Sequence, residues 1–225
     1  MNMKFSSETV AILKNFASIN TQFLFSAGNI QATQANSENL FARAELDEDI
    51  PITFGIFDLQ QFLAVCDMLD DPDFDFRDTN VRITEGKKAV TYIYTNPELV
   101  DKPESQNVSE QPIKVEFDLP EDSRASLFKA ARSLGLKDIA FSGDGKKVYA
   151  VVYDHKDSSR GNFKIDLGVD SEKTFEIIFS TSDLCILKGS YTVSLTSSGI
   201  HRFKHKDANV LYWVSMHLDS DDSFA

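Results

Sequence analysis

The chain has 225 residues, 42% of them hydrophobic and 26% charged, and its 35 Asp and Glu against 23 Lys and Arg leave a formal net charge of -12. This is the composition of a folded protein and excludes a disordered chain; the length suits one large domain or two of about 110 residues. The acidity argues against a simple basic nucleic-acid coat, no apolar run approaches the ~20 residues that span a bilayer, and the start MNMKFSSETV lacks the apolar core of a signal peptide.

In chain order, a short strand at MKF precedes a helix predicted from Ser7 to Ile19. On it Thr9, Ile12, Leu13, Phe16 and Ala17 share one face and Lys14 points away, with Ser6 or Ser7 as cap and Glu8 favouring the helix dipole. Strand-like runs follow at QFLFSA, NIQATQ, LFARAEL and ITFGIF, then a second helix from Asp58 to Leu69 that gathers Leu59, Phe62, Leu63, Cys66 and Leu69. FDFRD, NVRITEG and AVTYIYT read as three more strands; the alternating Asp of DDPDFDFRD lack the Gly and terminal Glu of a calcium loop and read as an acidic edge strand.

Residues 96–111 have linker composition, rich in Pro, Ser, Asn and Glu, and divide the chain into domains predicted at 1–95 and 112–225. The second half repeats the order of the first. IKVEFDL is followed by a helix from Glu121 to Leu134, then by DIAFSG, KVYAVVYD, NFKIDLG and TFEIIFS, with SGDGKK as a hairpin turn. A short helix is predicted over TSDLCILK, before the strands YTVSLTS, IHRFKHK and VLYWVSMHL, the last with Trp213 in the sheet core; LDSDDSFA reads as a frayed acidic tail whose Phe could bind a partner. Each half therefore reads strand, helix, four strands, helix, three strands: an α+β unit used twice without shared residues.

The helix of the second half breaks the acidic character of the chain. SRASLFKAARSLGLK (123–137) holds Arg124, Lys129, Arg132 and Lys137 and no acid, and Arg124, Lys129 and Arg132 sit opposite the apolar face of Leu127, Phe128, Ala131 and Leu134. Such a face gives up the usual ion pairs one turn apart, and a polyanion is its natural partner. Cys66 and Cys185 lie in apolar helical patterns and read as buried, reduced thiols of a cytosolic protein. His201 and His205 share a strand face without the Cys or carboxylate partners of a metal site, and no serine elbow, catalytic carboxylate pair or phosphate-cradling Gly loop occurs; no catalytic residue, metal or cofactor is expected.

ILKNFASIN (Ile12–Asn20), IFDLQQFL (Ile56–Leu63), ARSLGLKDI (Ala131–Ile139) and GSYTVSL resemble, in order and at matching spacing, the DNA polymerase sliding clamps of T-even-like bacteriophages. The linker and the acidic run DMLDDPDFDFRD depart from that pattern. The resemblance implies the DNA-clamp fold, two similar domains each with two helices packed on antiparallel sheets. Three identical subunits would close into a ring around duplex DNA, in the cytoplasm of an infected bacterial host. It also implies two partners, a DNA polymerase whose C-terminal peptide docks in an apolar pocket and an ATP-dependent clamp loader, since no phosphate-binding G-x-x-x-x-G-K-[ST] loop is present here.

On this reading Lys14, Arg124, Lys129, Arg132, Lys188 and Lys137 face DNA, without reading bases. AVTYIYT and NFKIDLG would pair edge to edge between subunits, through Tyr92, Tyr94, Phe163 and Ile165, and Leu99 and Val100 are candidates for the rim of the partner pocket or for anchoring the linker. The competing expectations are an α+β enzyme or binding protein that holds a phosphorylated ligand on the basic helix, and a processivity factor that stays monomeric.

Overall fold

The structure, a computed structural model, describes residues 2–225. The chain through Val108, with Ala208–Val210, forms one compact unit, and Ser109–Asp207 with Leu211–Ala225 form a second. Among the described residues the first unit holds β1 (Asn2–Met3), α1 (Ser7–Ile19), β2 (Phe23–Phe25), β3 (Gly28–Gln34), β4 (Leu40–Ile50), β5 (Phe54–Ile56), α2 (Leu59–Cys66), β6 (Asp73–Phe76), β7 (Asn80–Glu85) and β8 (Lys88–Ile93). The rest are β9 (Ile113–Leu119), α3 (Glu121–Leu134), β10 (Asp138–Asp144), β11 (Lys147–Tyr153), β12 (Phe163–Asp170), β13 (Thr174–Ser180), β14 (Tyr191–Thr196), β15 (Ile200–His205) and β16 (Val210–Ser215).

In the first unit one sheet runs β1-β6-β7-β8, while β2 pairs with β5 and β3 with β4, all antiparallel. Ser6 caps α1 by accepting from the Thr9 amide, and Asp58 caps α2 by accepting from that of Gln61. The predicted apolar face of α1 is the buried one, and α1 lies against α2. Phe rings fill the space between: Phe25 stacks on Phe54 at 4.7 Å between centroids and meets Phe62 edge-on at 6.0 Å, contacts worth about 0.5–1.5 kcal/mol each beyond the area they bury. The acidic run does not form an edge: β6 lies between β1 and β7 and buries Phe74 against Phe5.

In the second unit one sheet runs β12-β11-β10-β13, and β9, β14, β15 and β16 are joined in that order, again antiparallel. Phe141 meets Phe117, Phe179 and Phe203 in the core, and α3 buries Leu127 and Ala131. The SGDGKK turn forms as expected: Gly145 takes a φ of 80°, and the Asp144 carboxylate accepts from the amides of Lys146 and Lys147.

The order of elements matches the sequence reading except for the second helix of the second half, which is absent. Residues 181–184 form turns and 185–190 have no helix. Leu184 and Ile186 are the segment's buried apolar side chains, a spacing of two that suits extended chain, and the Ser180 and Ser182 hydroxyls bond each other. Three further expectations are corrected. Cys185 is exposed, unlike Cys66. The core face of β16 is Val210, Tyr212 and Val214, which leaves Trp213 half-buried on the other face. The C-terminal tail is docked: Asp221 and Glu176 exchange backbone hydrogen bonds, Ala225 accepts from the Thr174 amide, and Phe224 is buried 5.3 Å from Phe175.

Candidate nucleic-acid interface

The sequence builds α3 with a firm stop. Gly135 adopts the left-handed conformation, its amide reaches the Arg132 carbonyl and the Leu136 amide reaches that of Ala131, while Leu136 is buried beyond the end. At the start Glu121 and Asp122 favour the dipole, and the Glu121 amide donates to Ser190 Oγ. Lys129 and Arg132 stand on the exposed side of the helix and Lys137 just beyond it; among the described residues none has a carboxylate within ion-pair distance. The sequence reading missed Arg160. Its Nη2 donates to the Leu134 and Gly135 carbonyls at 3.3 and 2.9 Å, and its Nη1 pairs with Asp154 at 3.0 Å, so it adds a cation where the helix dipole is negative. No sequence pattern flags this, because Arg160 lies in the irregular segment 154–162, beyond a hairpin from the helix it caps.

Residues 184–190 act as a strap in place of the missing helix, and side chains satisfy its backbone. The Leu187 amide donates to Tyr212 Oη, the Tyr191 hydroxyl donates to the Leu187 carbonyl, and His205 Nε2 donates to that of Lys188 at 2.9 Å. Gly189 is required here: with φ 143° it lies so close to His205 that an added Cβ would stand 2.1 Å from Nε2. The strap leaves Lys188 exposed and without an ion pair among the described residues. Arg124 has a different setting from its neighbours on α3. Its Nη2 donates to the Ile186 carbonyl at 2.9 Å, its guanidinium lies 5.0 Å from the Phe128 ring centroid, and burial lowers its pKa from the ordinary value while it remains a cation. The cavity beside it, lined by Leu127, Phe128 and Ile186 among others, has a volume of about 10 Å³, room for a water and not for a phosphorylated metabolite.

In the first unit the helices carry one cation, Lys14, and its Nζ pairs with Asp67 at the end of α2 at 2.8 Å with both side chains half exposed. Gln60 donates to the Ala17 carbonyl, which ties the two helices further.

β8 and β12 are each the last strand of their sheet. Tyr94 donates its amide to the Thr79 carbonyl, and the alternation of an antiparallel ladder then turns the amides of Tyr92 and Tyr94 toward β7 and those of Thr91 and Ile93 toward the open edge. The rings of Tyr92 and Tyr94 also turn inward, onto Phe62 and Phe54, and leave Ile93 66% exposed. On β12, Phe163 and Ile165 belong to a half-buried row that continues through Leu167 and Val169, with Lys164 and Asp166 on the exposed face. The two linker candidates separate. Val100 is 5% exposed and packs against Gly55, where an added Cβ would come within 2.7 Å of its Cγ2, so it anchors the linker; Leu99 is 70% exposed.

His201 and His205 are structural. His201 Nδ1 accepts from the Thr196 amide, burial depresses its pKa to about 4, and His205 uses Nδ1 to accept from the Asp207 amide. No helix among the described residues is long and apolar enough to cross a membrane.

Residues 6–105 match the family model described as DNA polymerase processivity factor, and residues 116–217 match that described as the C-terminal part of the gp45 sliding clamp. The sliding clamp of Vibrio phage KVP40 is 33% identical over 207 residues, 89% of this chain and 94% of that protein. The sliding clamp of Enterobacteria phage T4 is 26% identical over 99% of this chain and all of its own length. Among solved structures, A. fulgidus PCNA with the C-terminal region of FEN-1 bound superposes with a TM-score of 0.72 at 12% identity, covering 98% of this chain and 99% of that one.

Proposed function

The chain belongs to the sliding-clamp family of DNA polymerase processivity factors, and from that premise we propose that three copies close head to tail into a ring that encircles duplex DNA and tethers the replicative DNA polymerase. The observation that carries the DNA-facing part of this reading is the unpaired basic side of α3 in a chain of net charge -12.

A clamp must hold DNA without gripping it. Each tight phosphate contact adds a salt-dependent term to affinity, and many of them would act as friction. A few long cations on a helix face supply attraction without register, and they ask for no base contact. Lys129, Arg132, Lys137 and Lys188 are our first candidates, with Lys14 held in check by Asp67 and Arg124 acting chiefly as the brace of the strap. A ring of three chains would carry 3 × -12 = -36 formal charges. The acidic surface elsewhere repels DNA, so the duplex is favoured only where the helix-bearing face of each unit turns to it.

Head-to-tail closure needs two unlike edges per subunit. β8 and β12 supply one from each unit, and we place Tyr92 and Tyr94 opposite Phe163 and Ile165 of the next subunit, with Thr91 and Ile93 contributing the backbone amides that bond across. A dock for the C-terminal peptide of the polymerase, with Leu99 on its rim, and opening by an ATP-dependent loader complete the proposal. FEN-1 bound to PCNA through its C-terminal region is a precedent for the peptide. The setting is the cytoplasm of the infected bacterial host, and tethering asks for no catalytic group.

Loading the chain with its loader and ATP onto a nicked circular plasmid, followed by cutting the plasmid once, tests the reading. The ring predicts protein retained on the circle and lost from the linear form; equal retention on both would show that the chain holds DNA by contact and not by topology.

A further inference from the structure

We propose that His155, His217 and Asp219 form a binding site for a divalent transition-metal ion of the zinc class, a role that DNA tethering does not use. One ligand atom from each lies within 4.8 Å of the other two. Asp219 Oδ2 stands 3.2 Å from His155 Nε2 and 3.4 Å from His217 Nδ1. Bonds of about 2.0–2.1 Å from a tetrahedral zinc to imidazole nitrogen and carboxylate oxygen place ligand atoms about 3.3–3.4 Å apart, so these two spacings are edges of that tetrahedron.

The tautomers agree with this use. Asp138, a buried carboxylate, accepts from both the backbone amide of His155 and its ring Nδ1, at 3.1 and 2.8 Å. With the proton on Nδ1, a neutral ring turns the Nε2 lone pair toward Asp219. That nitrogen is buried and makes no hydrogen bond, although the Asp219 oxygen is near. Two electron-rich atoms facing each other in a partly buried place call for a cation between them. His217 Nδ1 accepts from the Asp219 amide at 3.2 Å and is therefore the unprotonated nitrogen of its ring; binding the ion there exchanges that hydrogen bond for the metal. The Asp138–His155 pair is the carboxylate–histidine arrangement that orients imidazole ligands at metal centres. Two carboxylates also balance the charge of a dication, and the exposed Asp219 leaves the fourth position open to water.

The ion would clip segment 154–162, which carries His155 and the helix-capping Arg160, to the residues that follow β16. It would thereby stiffen the approach to β12 without touching the basic face. The site rests on the second unit alone and stands or falls independently of the clamp reading.

The test is zinc titration by calorimetry of the tag-free full-length chain after chelator treatment, with cobalt as a spectroscopic stand-in. One zinc per chain is expected, together with the visible absorption of tetrahedral cobalt. Asp219→Asn, an exposed change that leaves folding intact, and His217→Gln should each weaken binding at least about 10-fold, and Asp138→Asn about 10–100-fold as the orienting partner. Hydrogen exchange in 154–162 should slow with zinc in the wild type and not in Asp219→Asn. No saturable binding up to millimolar zinc, or unchanged affinity in both Asp219→Asn and His217→Gln, would overturn the proposal.

Discussion

Arg124 Nη2 donates to the Ile186 carbonyl at 2.9 Å, across the gap that a fourth helix was expected to fill. That bond separates Arg124 from the other cations of α3. Arg124→Ala should cost about 2 kcal/mol in unfolding free energy, the scale of a partly buried bond to a charged group. Lys129→Ala with Arg132→Ala should change stability by no more than about 0.5 kcal/mol each, as exposed substitutions do, while the salt dependence of duplex binding falls by about 0.9 in slope for each phosphate no longer neutralised. Urea unfolding and fluorescence anisotropy with a labelled duplex, read side by side, check both halves. A drop of salt slope in Arg124→Ala equal to that in the double variant would return Arg124 to the DNA-facing set.

Asp67 pairs with Lys14 where both are half exposed, so the pair contributes at most about 1 kcal/mol to stability. Asp67→Asn should leave the fold intact, free Lys14, and steepen the salt slope of duplex binding by about 0.9 per subunit. Single-molecule tracking on DNA should also show slower sliding. No change in either would remove Lys14 from the DNA-facing set.

His201 is buried and neutral, and burial alone depresses its pKa from 6.5 to about 4. The unfolded chain therefore binds a proton between those values that the folded chain refuses. Stability is full above pH 6.5 and declines as pH falls toward 4, by roughly 3 kcal/mol if this group acts alone. Denaturant unfolding at pH 7.5 and pH 5 reads the slope, and His201→Gln should flatten it. An identical pH dependence in the variant would assign the acid sensitivity elsewhere.

The thiols should divide cleanly. Burial is the first cause that pushes the Cys66 thiol up to about 12, with the Asp67 charge second, whereas Cys185 is exposed on the strap. A thiol reagent at pH 8 should modify one cysteine per native chain and two in denaturant, because only the thiolate reacts. Two fast equivalents in the native protein would mean that the end of α2 opens readily.

Most of the fold was legible because its signals are local. The α1 face of Ile12, Leu13 and Phe16, the Asp58 cap, the Gly135 stop and the Gly145 turn all depend on a few adjacent residues. The fourth helix was misread because TSDLCILK has helical-looking apolar content, but its backbone partners Arg124, Tyr212 and His205 lie 17 to 62 residues away and only Tyr191 is near. The same distance hid Arg160 behind α3 and the grouping of His155 with His217 and Asp219. Exposure of the basic side of α3 followed from periodicity; the commitment of Arg124 did not, since it depends on a strap more than 60 residues away.

The most direct test of the central claim is mass in solution by sedimentation equilibrium, comparing the wild type with Thr91→Pro. Thr91 turns its amide to the open edge of β8, so in the proposed ring proline there would remove a bond to the next subunit while sparing the β7 ladder. The head-to-tail ring predicts a wild type that approaches 3 × 25.2 = 75.6 kDa with rising concentration and a variant that remains at 25.2 kDa while still folded. A wild type that remains at 25.2 kDa at every concentration, or a variant that assembles as well as the wild type, would contradict it.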